Sequence, residues 1–195
     1  MKYIEGYWWP DDCGTKYKAS LRKVKSLKEI IRLSGEYERR RLVIQAGGSY
    51  GVWPRLLSKY FQEVHTFEPD EISYVCLKKN VGNFNNITTY QVALGEKIRW
   101  VAIKHKSLTS HHVIPGNIVK LMPIDSYLWS HCDAILLDIE GYEIHALCGA
   151  IETIRKYRPF ILTEKPFEDV ETFMEEQNYA KYIVIQNDTI WTPYY

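Results

Sequence analysis

From Leu42 to Pro69 the chain reads LVIQAGGSYGVWPRLLSKYFQEVHTFEP, and few folds accommodate that order of signals. Leu42, Val43 and Ile44 form a short apolar run that breaks at Ala46-Gly47-Gly48, the mark of a buried strand entering a turn. Apolar residues then recur at Trp53, Leu56, Leu57, Tyr60 and Phe61, one stripe of a helix, and Pro54 is tolerated in its first turn. Glu63 to Phe67 reads as a second strand, closed by Glu68-Pro69. Such a strand–turn–helix–strand unit lets backbone approach a ligand through its glycines and offers a carboxylate to ribose hydroxyls. It points to a nucleoside-containing cofactor.

The remaining sequence predicts repetition of this alternation. A helix is expected from about Ala19 to Ser34, with Leu21, Val24, Leu27, Ile30 and Ile31 on one side and Gly35 as its stop. Further helices are expected over Ile72–Asn80, from Ile144 through Leu147, Cys148 and Ile151 to Ile154, and over Val170–Gln177. Strands are expected over Ile87–Val92, Trp100–Lys104, Ile118–Met122, Ala134–Leu137 and Pro159–Thr163. A closing pair at Tyr182–Gln186 and Thr189–Thr192 has a two-residue gap and reads as a hairpin, its last strand antiparallel to the others. Strands alternating with helices imply an α/β fold, a mostly parallel sheet covered on both faces, with ligands along one edge. Ser110-His111-His112 falls in a polar loop. Residues 1–18 read as an irregular aromatic leader, either a strap over the domain or a lid carrying Trp9 or Asp11 to the site. Arg39-Arg40-Arg41 reads as a solvated charge run.

With 195 residues, 46% of them hydrophobic, the chain suffices for one domain, read as a leader and helix over 1–35 and a core over 42–195. A formal net charge of +1 supplies no general attraction to nucleic acid or to an acidic membrane. Cys13, Cys76, Cys132 and Cys148 are widely spread, without disulfide or zinc spacing, and His131 and His145 complete no ligand set. No metal is therefore expected. No apolar run approaches a membrane span, and MKYIEGYWWPDD resembles no targeting peptide. A cytoplasmic protein with no membrane partner is the expectation.

Carboxylates sit at three strand ends: Glu68, Asp138 with Glu140, and Glu164. Glu68 lies 17 residues after Gly51, close to the ~20-residue offset of a ribose-binding acid. The glycine turn fits two frames with one defect each: Ala46, Gly48 and Gly51 for a dinucleotide fingerprint, or Gly47, Ser49 and Gly51. The run Asp138-Ile139-Glu140-Gly141-Tyr142-Glu143 follows a buried strand and precedes a helix. Capping uses one such acid, with Asp138 the candidate N-cap, and the others must face solvent, a cation or a substrate.

Taken together, QAGGSYG (45–51), FEP (67–69), VALG (92–95), PIDSY (123–127), DIEGYE (138–143), LCGA (147–150) and TEKP (163–166) resemble the FkbM-like family of S-adenosylmethionine-dependent methyltransferases. The resemblance implies a Rossmann-like class I methyltransferase fold with a seven-stranded sheet, and methyl transfer to a hydroxyl of a sugar or small metabolite. It also implies a cofactor site made of Gln45, Gly47, Gly48, Ser49, Tyr50, Gly51, Glu68, Pro69, Val92, Ala93 and Asp138. Gln45 departs from the family pattern, which has Asp there, and so removes one charge from the cofactor ammonium. A general base is useful for an alcohol nucleophile, and Asp138 or Glu140 is nominated, with His111 or His112 as the alternative. Asp125 and Glu164 are candidates for orienting the substrate or other side chains. The acceptor is expected to be a small molecule or carbohydrate, not a nucleic acid. Two competing readings stand beside this one: a nicotinamide-dependent oxidoreductase, and a catalytically inactive cofactor-binding protein.

Overall fold

The computed structural model describes residues 1–15, 17–22, 24–105, 111–164 and 167–194; the side chains of Ala19, Arg22, His105 and His111 are outside the description. The chain opens with β1 (Lys2–Ile4) and β2 (Tyr7–Trp9), then α1 (Tyr17–Arg22) and α2 (Lys25–Glu36). The organising stretch forms β3 (Leu42–Ala46), α3 (Val52–Leu57) and β4 (Glu63–Phe67). It is followed by α4 (Glu71–Val81), β5 (Ile87–Tyr90), β6 (Ala93–Leu94), β7 (Arg99–His105), β8 (His111–Pro115) and β9 (Val119–Met122). The last third contains β10 (Ala134–Leu137), α5 (Glu143–Cys148), α6 (Ile151–Tyr157), β11 (Phe160–Glu164), α7 (Glu168–Glu176), β12 (Tyr179–Ile185) and β13 (Asp188–Pro193).

Seven strands form the main sheet in the order β12-β13-β11-β10-β3-β4-β5. β13 pairs antiparallel with both neighbours, whereas β11, β10, β3, β4 and β5 run parallel, so the antiparallel last strand is found as expected. Successive strand residues serve opposite faces. Val43, Leu136 and Phe160 pack with Leu27 and Ile30 of α2 and with Trp53 and Leu57 of α3. Ile44, Ile135 and Ile161 pack with Leu147, Ile154 and Phe173 of α5, α6 and α7. Two cores therefore fix the sheet's register, because a one-residue slip would exchange them. This is the class I methyltransferase architecture.

Several expectations change. The N-terminal residues form a hairpin rather than an irregular leader: Glu5 (φ 53°) and Gly6 (φ 80°) supply the two positive dihedrals of a type I′ turn. Trp9 is fully buried and packs edge-on against Tyr50, with ring centroids 5.2 Å apart. Asp11 pairs with the N-terminal ammonium at 2.8 Å, so the hairpin is a strap and brings neither residue into the cavity. Val24, at φ −127° and ψ 4°, separates two helices where one was expected. Gly35 lies inside α2 rather than ending it. A Cβ there would fall 2.2 Å from Arg40 Nη2, and that guanidinium donates to the Ile31 carbonyl in the last turns of the helix. Arg39 donates to the Tyr157 and Arg158 carbonyls and Arg41 to Asp133, so the arginine run closes helix and strand ends, with Arg39 and Arg40 half-buried and only Arg41 exposed to solvent as expected.

The third expected strand ends early, at Tyr90, and a separate short strand follows just beyond its expected end. β5 stays on the main sheet, while β6 leaves it to join a separate four-stranded sheet of order β6-β9-β7-β8. His112, expected in a loop, lies on β8; Ser110 lies outside the described residues. The Ile144–Ile154 helix also breaks, at Gly149-Ala150. A Cβ on Gly149 would meet the Gly95 carbonyl oxygen at 2.1 Å, so the glycine of LCGA permits the close crossing with the backbone of VALG. Asp125 then caps the second piece: its carboxylate accepts from the backbone N–H of Glu152 (3.0 Å) and Thr153 (2.9 Å) and from Thr153 Oγ1 (2.6 Å). It does not line the cavity described below and has a structural task. Asp125→Ala is expected to lower unfolding stability by about 1–2 kcal/mol in urea titrations, leaving cofactor affinity unchanged.

Candidate active site

A cavity of about 370 Å³ opens at the carboxyl ends of β3, β4 and β10, where strand order reverses and ligands of such sheets bind. Its floor is the turn after β3. The N–H groups of Gly47 and Gly48 both donate to the Phe67 carbonyl, folding the turn back onto β4. Gly47 has φ 81°, and a Cβ on it would lie 2.0 Å from the Asp138 carbonyl oxygen. Ser49 and Tyr50 continue the wall, and Gly51, at φ 84°, turns the chain into α3 without reaching the cavity.

Glu68 and Pro69 form the second wall. Glu68 is 4% exposed, with Oε2 accepting from Ser49 N–H at 2.7 Å and Oε1 from Asp70 N–H at 2.9 Å. Burial pushes its pKa up to about 7, against the lowering by the Asp70 and Ser49 N–H groups. Beside it, Phe67, Val92, Ala93 and Leu94 make an apolar slot. Phe67 is held there by stacking on Tyr90 (4.6 Å, 9°) and by the edge of Tyr127 (5.4 Å).

The third wall is the loop after β10, with Asp138, Ile139, Glu140 and Tyr142 at the cavity. Glu140 (φ 58°) and Gly141 (φ 94°) turn this loop through the left-handed region. Glu143 lies beneath it, 1% exposed, with Oε1 accepting from Ile139 N–H at 3.1 Å. Burial raises its pKa to about 7; N–H groups of the loop lower it and the Glu164 charge raises it further. The N-cap of α5 is Tyr142, so Asp138 does not cap that helix. Oxygens of Asp138, Glu140 and Glu164 lie within 4.8 Å of one another. The sequence places these acids at strand ends along one edge of the sheet; their approach to within one cluster, with Glu68 outside it, is what the structure adds. Three carboxylates so placed can share a proton or hold a cation.

Of the residues singled out from sequence, Gly47, Gly48, Ser49, Tyr50, Glu68, Pro69, Val92, Ala93, Asp138 and Glu140 converge on this cavity. Gln45 does not. It is fully buried beneath the turn, its Nε2 donating to the Ala46 and Gly47 carbonyls (3.0 and 2.9 Å) and its Oε1 accepting from Thr66 Oγ1 at 2.6 Å. An ionised carboxylate could make neither donation, so the amide suits this turn. Because neighbouring Ala46 faces the cavity, strand alternation already directs Gln45 elsewhere. His112 is absent from the lining whereas Val113 is present, and the His111 side chain lies outside the description. The sequence reading missed Trp53, Phe67, Ile103, Val113 and Tyr142 as lining residues. Phe67 and Tyr142 lie within motifs already noted; Ile103 and Val113 depend on the second sheet.

A model of the methyltransferase FkbM domain matches residues 46–181. The chain belongs to the FkbM methyltransferase family. It is therefore a methyltransferase domain, with S-adenosylmethionine the cofactor of that fold and family. Its fold is similar to that of a methyltransferase FkbM from Methylobacillus flagellatus (TM-score 0.56, 19% identity), covering 80% of this chain and 44% of that one. This FkbM chain thus spans less than half the length of the Methylobacillus protein. It is also similar to magnesium protoporphyrin IX methyltransferase from Synechocystis, solved with bound S-adenosylmethionine (TM-score 0.57, 9% identity, 97% and 88% of the two chains). A third likeness is to the N-methyltransferase NodS from Bradyrhizobium japonicum (TM-score 0.53, 9% identity, 93% and 99%). A search of curated protein sequences finds no match. Among the described residues of this FkbM domain, no helix is long and apolar enough to cross a membrane.

Proposed function

We propose that this FkbM domain transfers a methyl group from S-adenosylmethionine to a hydroxyl of a small molecule or carbohydrate. The observation that carries the reading is the Glu68 carboxylate, pinned through both oxygens at the cavity wall beside an apolar slot. The residues fit the cofactor. Each carboxylate oxygen keeps a second lone pair, enough to accept from the two ribose hydroxyls. Phe67, Val92, Ala93 and Leu94 would enclose the base, and the Gly47 turn admits backbone-close contact because a Cβ there would fill the space.

The cofactor supplies an electrophilic methyl on a sulfonium. The protein's part is to align an acceptor hydroxyl in line with it, keep water out and receive the hydroxyl proton. Asp138 and Glu140 are the cavity acids able to take that proton, with Asp138 nearer the Gly47 turn. When bound, S-adenosylmethionine would give its methyl to the acceptor oxygen and leave as S-adenosylhomocysteine, while Asp138 or Glu140 would hold the hydroxyl proton released.

Asp138→Asn tests the role. If Asp138 is the base, kcat falls on the order of 100- to 10,000-fold with S-adenosylhomocysteine affinity kept within threefold. Equal losses in turnover and affinity would make Asp138 a cofactor ligand instead. The nicotinamide reading has no support from a methyltransferase family match. An inactive binding protein is the reading to adopt if S-adenosylhomocysteine binds and no hydroxyl compound is methylated.

A further inference from the structure

We infer that Ile103, Val113 and Tyr142 form the acceptor-binding roof and select an uncharged hydroxyl compound with an apolar face. This rests on the methyl-transfer reading above and assigns the acceptor side of the same site. Ile103 of β7 and Val113 of β8 are direct cross-strand partners, both line the cavity, and both pack with Tyr142 against the core of the small sheet. Alternate residues of the same strands point the other way: Trp100 is 59% exposed and Ile114 37%. The face turned inward is thus a continuous apolar surface.

Its position separates it from the base-binding slot. The strand order β6-β9-β7-β8 sets Ile103 two strand spacings and Val113 three from the Ala93-Leu94 strand, roughly 10 and 14 Å. Tyr142 ties the roof to the loop that carries Asp138 and Glu140. Its hydroxyl accepts from Arg99 Nη2 at 2.8 Å and its ring lies 4.3 Å from His145, which fixes the ring against the roof. Arg99 is outside the lining and is directed at the tyrosine hydroxyl. An acceptor between these surfaces meets aliphatic and aromatic carbon on one side and carboxylates on the other. A ring with an apolar face and a free hydroxyl satisfies both. A phosphate or carboxylate on the acceptor would face Asp138 and Glu140, a like-charge contact that disfavours binding.

The test measures S-adenosylhomocysteine formation with phenol and methyl 6-deoxyhexoside as uncharged apolar-faced acceptors, and with glucose 6-phosphate as the anionic one. The expected result is turnover of at least one apolar-faced acceptor, with kcat/KM for glucose 6-phosphate at least about tenfold lower. Val113→Thr, which keeps the shape of the side chain, and Ile103→Ala should each raise acceptor KM about tenfold and leave S-adenosylhomocysteine affinity within about twofold. Preference for glucose 6-phosphate, or unchanged KM in both variants, overturns the inference. Cofactor binding with turnover of glucose 6-phosphate but of neither apolar-faced probe overturns it alone, whereas cofactor binding with turnover of none of the three overturns the methyl-transfer reading as well. No cofactor binding by the unaltered protein overturns the methyl-transfer reading beneath it.

Discussion

Glu68→Ala is expected to weaken S-adenosylhomocysteine binding on the order of 100- to 1,000-fold, measured by calorimetry. Two charge-assisted hydrogen bonds to the ribose diol would be lost, each worth roughly 1.5–3 kcal/mol. The variant also frees the N–H groups of Ser49 and Asp70, which the carboxylate holds at 2.7 and 2.9 Å, so the turn proposed to cradle the cofactor loses its anchor. Unchanged affinity would remove Glu68 from the site.

Proton linkage gives this residue a second signature. With Glu68 raised to about 7 by burial, the free site is partly protonated near neutrality, and diol hydrogen bonds favour the ionised form. Affinity should be flat above about pH 8 and fall towards tenfold per unit as pH drops below about 7. Stability runs the opposite way for the ligand-free protein. Glu68 and Glu143, both raised to about 7 from 4.5, bind protons more tightly folded than unfolded. Their contribution is therefore fully present below about pH 4.5 and is lost as pH rises through about 7. The thermal shift produced by S-adenosylhomocysteine should consequently be larger at pH 8 than at pH 6, and Glu68→Gln should flatten that difference.

Gly47→Ala should have the other large effect. The new methyl would lie 2.0 Å from the Asp138 backbone oxygen, where neither partner is a flexible side-chain end, and φ is 81°. The left-handed conformation alone costs about 1–2 kcal/mol, and relieving the overlap must part the β3 turn from the β10 loop. Binding of S-adenosylhomocysteine should fall on the order of 1,000-fold or more, with unfolding stability reduced by about 3–5 kcal/mol. Gly141→Ala provides the comparison. Its φ is 94°, but the nearest atom to an added Cβ, on Phe167, is 3.7 Å away, so strain without overlap should cost only about 1 kcal/mol. Equal effects in the two variants would show that dihedral strain, not the crossing of loops, governs the site.

The parts of this site that could be read from sequence are those whose partners lie nearby in the chain. Leu42 to Pro69 announces strand, turn, helix, strand and terminal acid because periodicity and glycine placement are local signals, and Glu68 stands where that order places it. DIEGYE was legible as a set of acids with work to do, but not as a loop over a buried Glu143, because burial depends on packing from α5 and β11. Glu164 joins Asp138 and Glu140 only through the parallel register of β10 and β11. The second sheet was missed for the same reason: β6 is two residues long and pairs with β9, more than twenty positions later. No local pattern distinguishes Ala93-Leu94 from the end of the preceding strand. Gln45 was misread in the opposite direction. Its position in a motif drew it into the site, whereas strand alternation beside Ala46 already directed it beneath the turn.

The methyl-transfer reading requires the cavity beside Glu68 to bind the nucleoside of a methyl donor. Calorimetric titration of the unaltered protein with S-adenosylhomocysteine at about pH 8, set against NADH, tests it most directly. The expected result is saturable binding of S-adenosylhomocysteine at one site per chain, weakened at least 100-fold by Glu68→Ala, and no heat from NADH. Binding of NADH with none of S-adenosylhomocysteine would contradict it.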